Sequence, residues 1–223
     1  MANRMCRKCD PSQLVRLQLP RKDFDLAVDH EELTGNLRRF YDFTGKTVLF
    51  VGAGGRQFLD PSFKTKRLIA IDRNVEALGE LKRKIAARGE QGSLNVRGAD
   101  FEEVTLSGDT VYFEFCLHET VDPQKTLAHA RALAPDVVVF DHSPGSDWSF
   151  YVAEEERVRR SAEAMKRFGI RRRETVRIQQ RFNDYVELLA KVAEQGTVAI
   201  QRVQRFAGTT NIVIPMNCEL ALL

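Results

Sequence analysis

Four cysteines in 223 residues, Cys6, Cys9, Cys116 and Cys218, are too few and too unevenly placed to staple a small secreted fold. Thiols in a reducing compartment are expected. No apolar run approaches the roughly 18 residues that a membrane span requires, and the first ten residues are polar and basic, unlike a cleavable signal. A cytoplasmic protein without a membrane span is the expectation. An excess of one charge is missing as well: 34 Lys and Arg face 31 Asp and Glu, and the net charge of +3 gives no case for a strongly electrostatic partner such as nucleic acid. Internal repeats and low-complexity segments are absent.

The sequence does have 43% hydrophobic residues, enough for one large core rather than two small ones. Residues 1–45 are mixed and polar and read as an N-terminal cap, with Leu33, Leu37, Phe40 and Tyr41 at near-helical spacing between Glu31 and Phe43; residues 46–223 read as the main domain. Lys46 to Val51 is a short apolar run rich in β-branched residues, as expected of a strand buried on both faces. A glycine turn follows, then a second such run, Leu68 to Asp72. Val75, Leu78, Leu81 and Ile85 recur at helical spacing and Gly89 closes that helix. The rhythm continues through strands at Leu94–Arg97, Asp109–Phe115 and Asp136–Asp141, with helices over Gln124–Leu133 and Glu154–Phe168. This βαβ alternation predicts a doubly wound α/β fold with a mostly parallel sheet. Two further strands, Glu174–Phe182 and Thr210–Leu222, flank a helix opened by the Asp184-x-x-Glu187 capping box, broken at Gly196 and resumed through Val203 to Phe206. Arg171, Arg172 and Arg173 read as a solvated loop before the first of these strands.

The turn Gly52-Ala53-Gly54-Gly55-Arg56-Gln57 places residues without side chains at a helix start, where backbone N–H groups can approach a ligand. Asp72 ends the second strand, where a carboxylate can accept both hydrogens of a ribose diol, with Arg73 beside it. Asp100 follows the third strand with Phe101 next to it, a pair suited to the amino group and face of an adenine. For a nicotinamide-binding G-x-G-x-x-G turn the last glycine is replaced by Gln57, and no tyrosine is followed by lysine four positions on, which argues against a dehydrogenase.

From Val51 to Gly55, through Asp72 and Asp100-Phe101, to Phe115-Cys116-Leu117-His118-Glu119, the sequence resembles the class I S-adenosylmethionine-dependent methyltransferases. The resemblance implies a seven-stranded sheet with an antiparallel C-terminal strand. It implies S-adenosylmethionine as cofactor, with Gly52 and Gly54 facing its methionine part, Asp72 its ribose, and Asp100 and Phe101 its adenine; Phe115 and Cys116 would lie beside it through their backbone. This chain departs from the family in having Val51 where an acidic residue is frequent and Arg56 where a further glycine is, so Arg56 becomes a candidate for the cofactor's carboxylate.

Ligands of open α/β sheets bind beyond the carboxyl ends of the strands, which makes His118, Glu119, Asp141 and His142 the candidates for chemistry. A histidine of near-neutral pKa can take a proton from the methyl acceptor, so His118 is the first choice for the base and Glu119 for its orienter. Asp141, His142, Trp148, Tyr151 and, in the cap, Tyr41 are the candidate substrate-binding residues. No metal is expected: His118, Glu119, Asp141 and His142 are suitable ligand types but come from two strand ends without an established spacing, and Cys6-x-x-Cys9 lacks the second pair of a zinc knuckle. The expected acceptor is a small molecule. None of the seven prolines are adjacent, so the (Asp/Asn)-Pro-Pro-(Tyr/Phe) element of amino-methylating nucleic-acid enzymes is missing; RNA or protein remains the rival acceptor, and a non-catalytic binding module the rival of another class. The N-terminal helix and the late helix pair offer a surface for a homodimer.

Overall fold

The computed structural model describes residues 30–54, 61–87 and 94–223. Among these residues seven strands form one sheet in the order β3-β2-β1-β4-β5-β7-β6. The strands are β1 (Thr47–Val51), β2 (Arg67–Asp72), β3 (Leu94–Gly98), β4 (Thr110–Glu114), β5 (Asp136–His142), β6 (Arg172–Asp184) and β7 (Thr210–Leu222). Pairings among β1 to β5 are parallel, and β7 runs antiparallel to both of its neighbours, β5 and β6. The sheet is therefore mostly parallel with one reversed strand, the last in the chain, as the resemblance implied.

Burial explains which runs became central strands. Every residue of β4 is buried, and all but the first of β5, which follows from helices packing on both faces. The edge strand β6 instead alternates, with Val176, Ile178, Gln180 and Phe182 inward and polar or charged residues outward. It begins two residues earlier than its apolar pattern suggests. Arg172 and Arg173 are not a solvated loop; they belong to the strand, Arg172 donating to the Phe40 carbonyl at 2.9 Å and Arg173 to Glu219 at 2.7 Å.

The helices are α1 (His30–Phe40), α2 (Val75–Ala87), α3 (Pro123–Leu133), α4 (Asp147–Tyr151), α5 (Glu155–Phe168), α6 (Tyr185–Val192) and α7 (Thr197–Val203). Two apolar cores form, one on each face of the sheet. The first gathers Leu33 and Leu37 of α1, Leu78, Leu81 and Ile85 of α2, Trp148 of α4, and Leu188 and Ala199 of α6 and α7. The second gathers Leu127 and Ala130 of α3 with Ala162 and Met165 of α5. Starts are marked by caps: Asp122 accepts from the Lys125 N–H with Pro123 in the first turn of α3, and Asp184 accepts from the Glu187 N–H at α6. Gly196, at φ 93°, separates α6 from α7, which resumes at Thr197.

Four readings from the sequence lie outside the described residues: Arg56 with its neighbours Gly55 and Gln57, the helix stop at Gly89, the Cys6/Cys9 pair, and most of the N-terminal cap. Among the described residues no helix is long and apolar enough to cross a membrane.

Candidate active site

β1 delivers the glycine turn to the carboxyl edge of the sheet, and the space there is already tightly shared. A Cβ on Gly52, whose φ is +78°, would stand 2.7 Å from Cys116 Sγ; one on Gly54 would stand 2.8 Å from Asp72 Oδ2. These glycines therefore first let the ends of β2 and β4 close in on the turn. The Gly54 N–H donates to Asp72 Oδ2 and the Asn74 N–H to Asp72 Oδ1, both at 2.8 Å. Each carboxylate oxygen keeps a further lone pair for an outside donor.

Asp100 caps the short turn before Glu103, accepting from the Glu102 N–H at 3.1 Å, and Arg73 stands 3.5 Å from its other oxygen. The Phe101 ring meets Phe113 and His129 edge-on, at 5.3 and 5.1 Å, so its body serves the core and only a margin remains for a ligand. A cavity of about 230 Å³ opens between these strand ends, and Gly52, Asp72, Arg73, Asp100, Phe101, Cys116 and Glu119 all line it, with Val121 and Thr126 opposite. Of the other residues expected around a cofactor, Ala53 is buried in the core, while Gly54 and Phe115 stand behind the lining. Phe115 takes a positive φ of 49°, a backbone conformation that a bulky residue adopts only when its surroundings impose it. Its N–H donates to the Phe140 carbonyl at 2.7 Å, and its ring lies against Phe140 and His142.

His118 sits in a short turn after β4, 2% exposed. Its Nδ1 stands 2.5 Å from Asp141 Oδ1 and its Nε2 3.4 Å from Glu154 Oε2, while its backbone N–H donates to Asp141 Oδ2 at 3.0 Å. Burial alone would depress the imidazole, but the Asp141 charge and then Glu154 outweigh it and lift the pKa to about 10. The two carboxylates that hold the ring favour its protonated form, whereas the sequence reading took it for a near-neutral base. Its orienters are Asp141 and Glu154; Glu119 points instead to the cavity rim. Glu154, 36 positions from His118 and brought in by the start of α5, carries no local motif that could have announced it. Beside them His142 stays neutral, lowered to about 4 by burial and by the His118 charge.

The residues expected to bind substrate scatter. Tyr41 is at the wrong edge: its hydroxyl bonds Asp136 at 2.5 Å and Thr110 at 2.9 Å, both at the amino ends of their strands, across the sheet from the cavity. Its spacing in a helical pattern revealed that it packs, not at which end. Trp148, 5% exposed, stacks on Phe182 at 5.8 Å and belongs to the core. Asp141 and His142 are buried. Tyr151 is half-buried against Phe150 and Phe206 and reaches the surface, where Arg205 approaches its hydroxyl at 3.4 Å.

No family model matches this sequence, and no curated protein does either. Solved structures do match. A candidate methyltransferase from Bacillus halodurans superposes with a TM-score of 0.62 at 15% identity, over 85% of this chain and 96% of the other. A candidate RNA methyltransferase from Pyrococcus horikoshii gives 0.56 at 15% identity over 86% and 82% of the two chains. An S-adenosylmethionine-dependent methyltransferase from Aquifex aeolicus gives 0.52 at 20% identity over 96% and 99%. With its strand order, reversed last strand and strand-end cavity, the chain has the fold of the class I S-adenosylmethionine-dependent methyltransferases.

Proposed function

We propose that the protein binds S-adenosylmethionine in the strand-end cavity and transfers its methyl group to a small-molecule acceptor. One observation carries the reading: the carboxylates at the ends of the neighbouring strands β2 and β3 open into a single cavity together with Gly52 of β1 and Cys116 of β4. Asp72, fixed by two backbone N–H donors, has acceptor capacity left for the ribose hydroxyls; Asp100 and the margin of Phe101 are placed for the adenine, and the Gly52 backbone for the methionine part.

Bound there, the cofactor supplies a sulfonium methyl, itself a strong electrophile, which leaves the protein to align the nucleophile and remove its proton. His118 already carries a proton and acts as a positioning residue, tying the turn that bears Cys116 and Glu119 to β5 and α5. Glu119 is the better base. It stands at the cavity rim, and partial desolvation raises its carboxyl above the ordinary glutamate value, with His118 lowering it and Glu154 and Asp141 raising it further. Among the described residues the rim favours a small acceptor over RNA: Asp72, Asp100, Glu102 and Glu119 line the cavity with Arg73, a field that disfavours a phosphate backbone.

Calorimetric titration with S-adenosylhomocysteine tests the binding half. Asp72→Ala removes charge-assisted hydrogen bonds worth about 1.5–3 kcal/mol, so its affinity should fall roughly ten- to hundredfold. Absence of binding to the parent protein would end the proposal. Mass spectrometry of a cell extract supplied with labelled cofactor identifies the acceptor; binding without any methylated product would favour a non-catalytic module.

A further inference from the structure

We propose that His118, His142 and Glu154 form a binding site for a transition-metal dication of the zinc class, with Asp141 as the carboxylate behind it. The three come from separate elements, the turn after β4, the end of β5 and the residue capping α5, yet each offers a ligand atom and all three atoms lie within 4.8 Å of one another. Asp141 engages His118 Nδ1 at 2.5 Å and so aims Nε2 inward, where Glu154 Oε2 stands 3.4 Å away. A carboxylate that fixes one ring nitrogen while the other faces a metal is the usual support of a ligating histidine. On a tetrahedral metal with ligands about 2.0–2.1 Å away, neighbouring ligand atoms stand about 3.4 Å apart, which the His118–Glu154 pair already matches.

His142 supplies the independent observation. Its ring is 9% exposed, and its Nδ1 has no hydrogen-bond partner among the described residues. A buried ring nitrogen left without a partner carries an uncompensated desolvation cost, and a metal in the space between His142, His118 and Glu154 would offset it. The ring is held in place by Phe115 at 5.0 Å and His118 at 5.3 Å between centroids, and the His142 N–H donates to Asp141 Oδ1 at 2.8 Å. Glu154 Oε1 is occupied by Arg157 at 2.9 Å, which leaves Oε2 as the ligand. Metal binding displaces the proton that His118 holds against Glu154. Two imidazoles and a carboxylate favour zinc, cobalt, nickel or copper over magnesium or calcium, and three protein ligands leave a coordination position open. None of the three residues lines the cofactor cavity, so the site stands or falls separately from the methyltransferase reading.

The test uses the full chain without a histidine tag, stripped with a chelator and titrated with Co²⁺. One equivalent should bind with the visible absorption of four- or five-coordinate cobalt, be displaced by Zn²⁺ and be indifferent to Mg²⁺. His142→Ala, which leaves the His118 ion pairs intact, should abolish the spectrum, and Asp141→Asn should weaken binding about 10–100-fold. Should His142→Ala fail to fold, His142→Phe keeps the ring volume and takes its place. No cobalt spectrum, or binding unchanged in the His142 variant, overturns the site. S-adenosylhomocysteine binding by the same samples reports on the cofactor cavity independently.

Discussion

At His118 a single side chain satisfies two buried carboxylates, and its removal is therefore a stability experiment before it is a catalytic one. Asp141 is 1% exposed and Glu154 4%, and both are held below their ordinary values by the imidazolium, against the burial that would raise them. In metal-free protein, His118→Gln leaves Asp141 buried without its counter-charge and Glu154 with Arg157 alone, a change that typically costs about 3–5 kcal/mol. Urea denaturation at neutral pH should show the midpoint falling by that equivalent. A purely catalytic histidine would lower turnover and leave the midpoint where it is, so an unshifted midpoint would contradict the ion-pair role. Gly52 is the second residue whose constraint is steric: alanine there combines a φ of +78° with a 2.7 Å approach to Cys116 Sγ. Gly52→Ala should cost about 1–3 kcal/mol by overpacking and weaken S-adenosylhomocysteine binding, both readable in one thermal titration. The carboxylates at Asp72 and Asp100 were legible because each follows a strand-like segment at its end; the partner of His118 was not, because Glu154 meets it only after two intervening helices and a strand.

Among the elements, α1 shows how periodicity can find the buried face of a helix and still misplace a neighbouring residue. Leu33, Leu37 and Phe40 are buried as their spacing predicts, but periodicity reports the face of a helix and says nothing of which edge of the sheet it reaches. The edge is decided by polar contacts: Tyr41 bonds Asp136 at the start of β5, and Arg171 bonds the same carboxylate at 2.7 Å. The five-residue α4 escaped notice because it is shorter than the turns a 3.6-residue period needs to show itself. The Asp136 clamp has a pH signature. Desolvation pushes its carboxyl up, but the hydrogen bonds from Tyr41 and Arg171, with the charges of Arg171 and Lys46, hold it below the ordinary aspartate value. A group depressed in the folded state stabilises fully above its unfolded pKa and loses that contribution as pH falls through the folded one. Asp136→Asn should therefore lower the urea midpoint at pH 7 and have a diminishing effect below about pH 4; a difference that grows on acidification would refute the clamp. Tyr41→Phe, removing one hydrogen bond, should cost about 0.5–1.5 kcal/mol at neutral pH while leaving cofactor affinity unchanged, since the clamp and the cavity occupy opposite edges.

For the molecule as a whole, strand order is the property furthest from the sequence. Apolar runs reveal that strands exist and whether both faces are covered, but not which strands are neighbours; the reversed final strand was expected through resemblance rather than pattern. That strand lies inside the sheet, between β5 and the edge strand β6. Leu220, Ala221 and Leu223 are fully buried, Leu220 and Ala221 stand opposite Phe140 and Val139, and the Leu223 N–H donates to the Val137 carbonyl at 2.9 Å. Until β7 arrives, β5 presents an open apolar edge, the kind of surface that pairs with other chains. Deleting Leu220–Leu223 removes two fully buried leucines at about 1.5–3 kcal/mol each, which is comparable to the 5–15 kcal/mol of a typical domain. The shortened chain should therefore lose its cooperative urea transition, or aggregate during expression, although the glycine turn, Asp72 and Asp100 are all still present. A truncated protein that unfolds with the parent midpoint and still binds S-adenosylhomocysteine would mean that β1 to β5 stand alone, and that the long antiparallel β6–β7 pair is an appendage rather than the closing step of the fold.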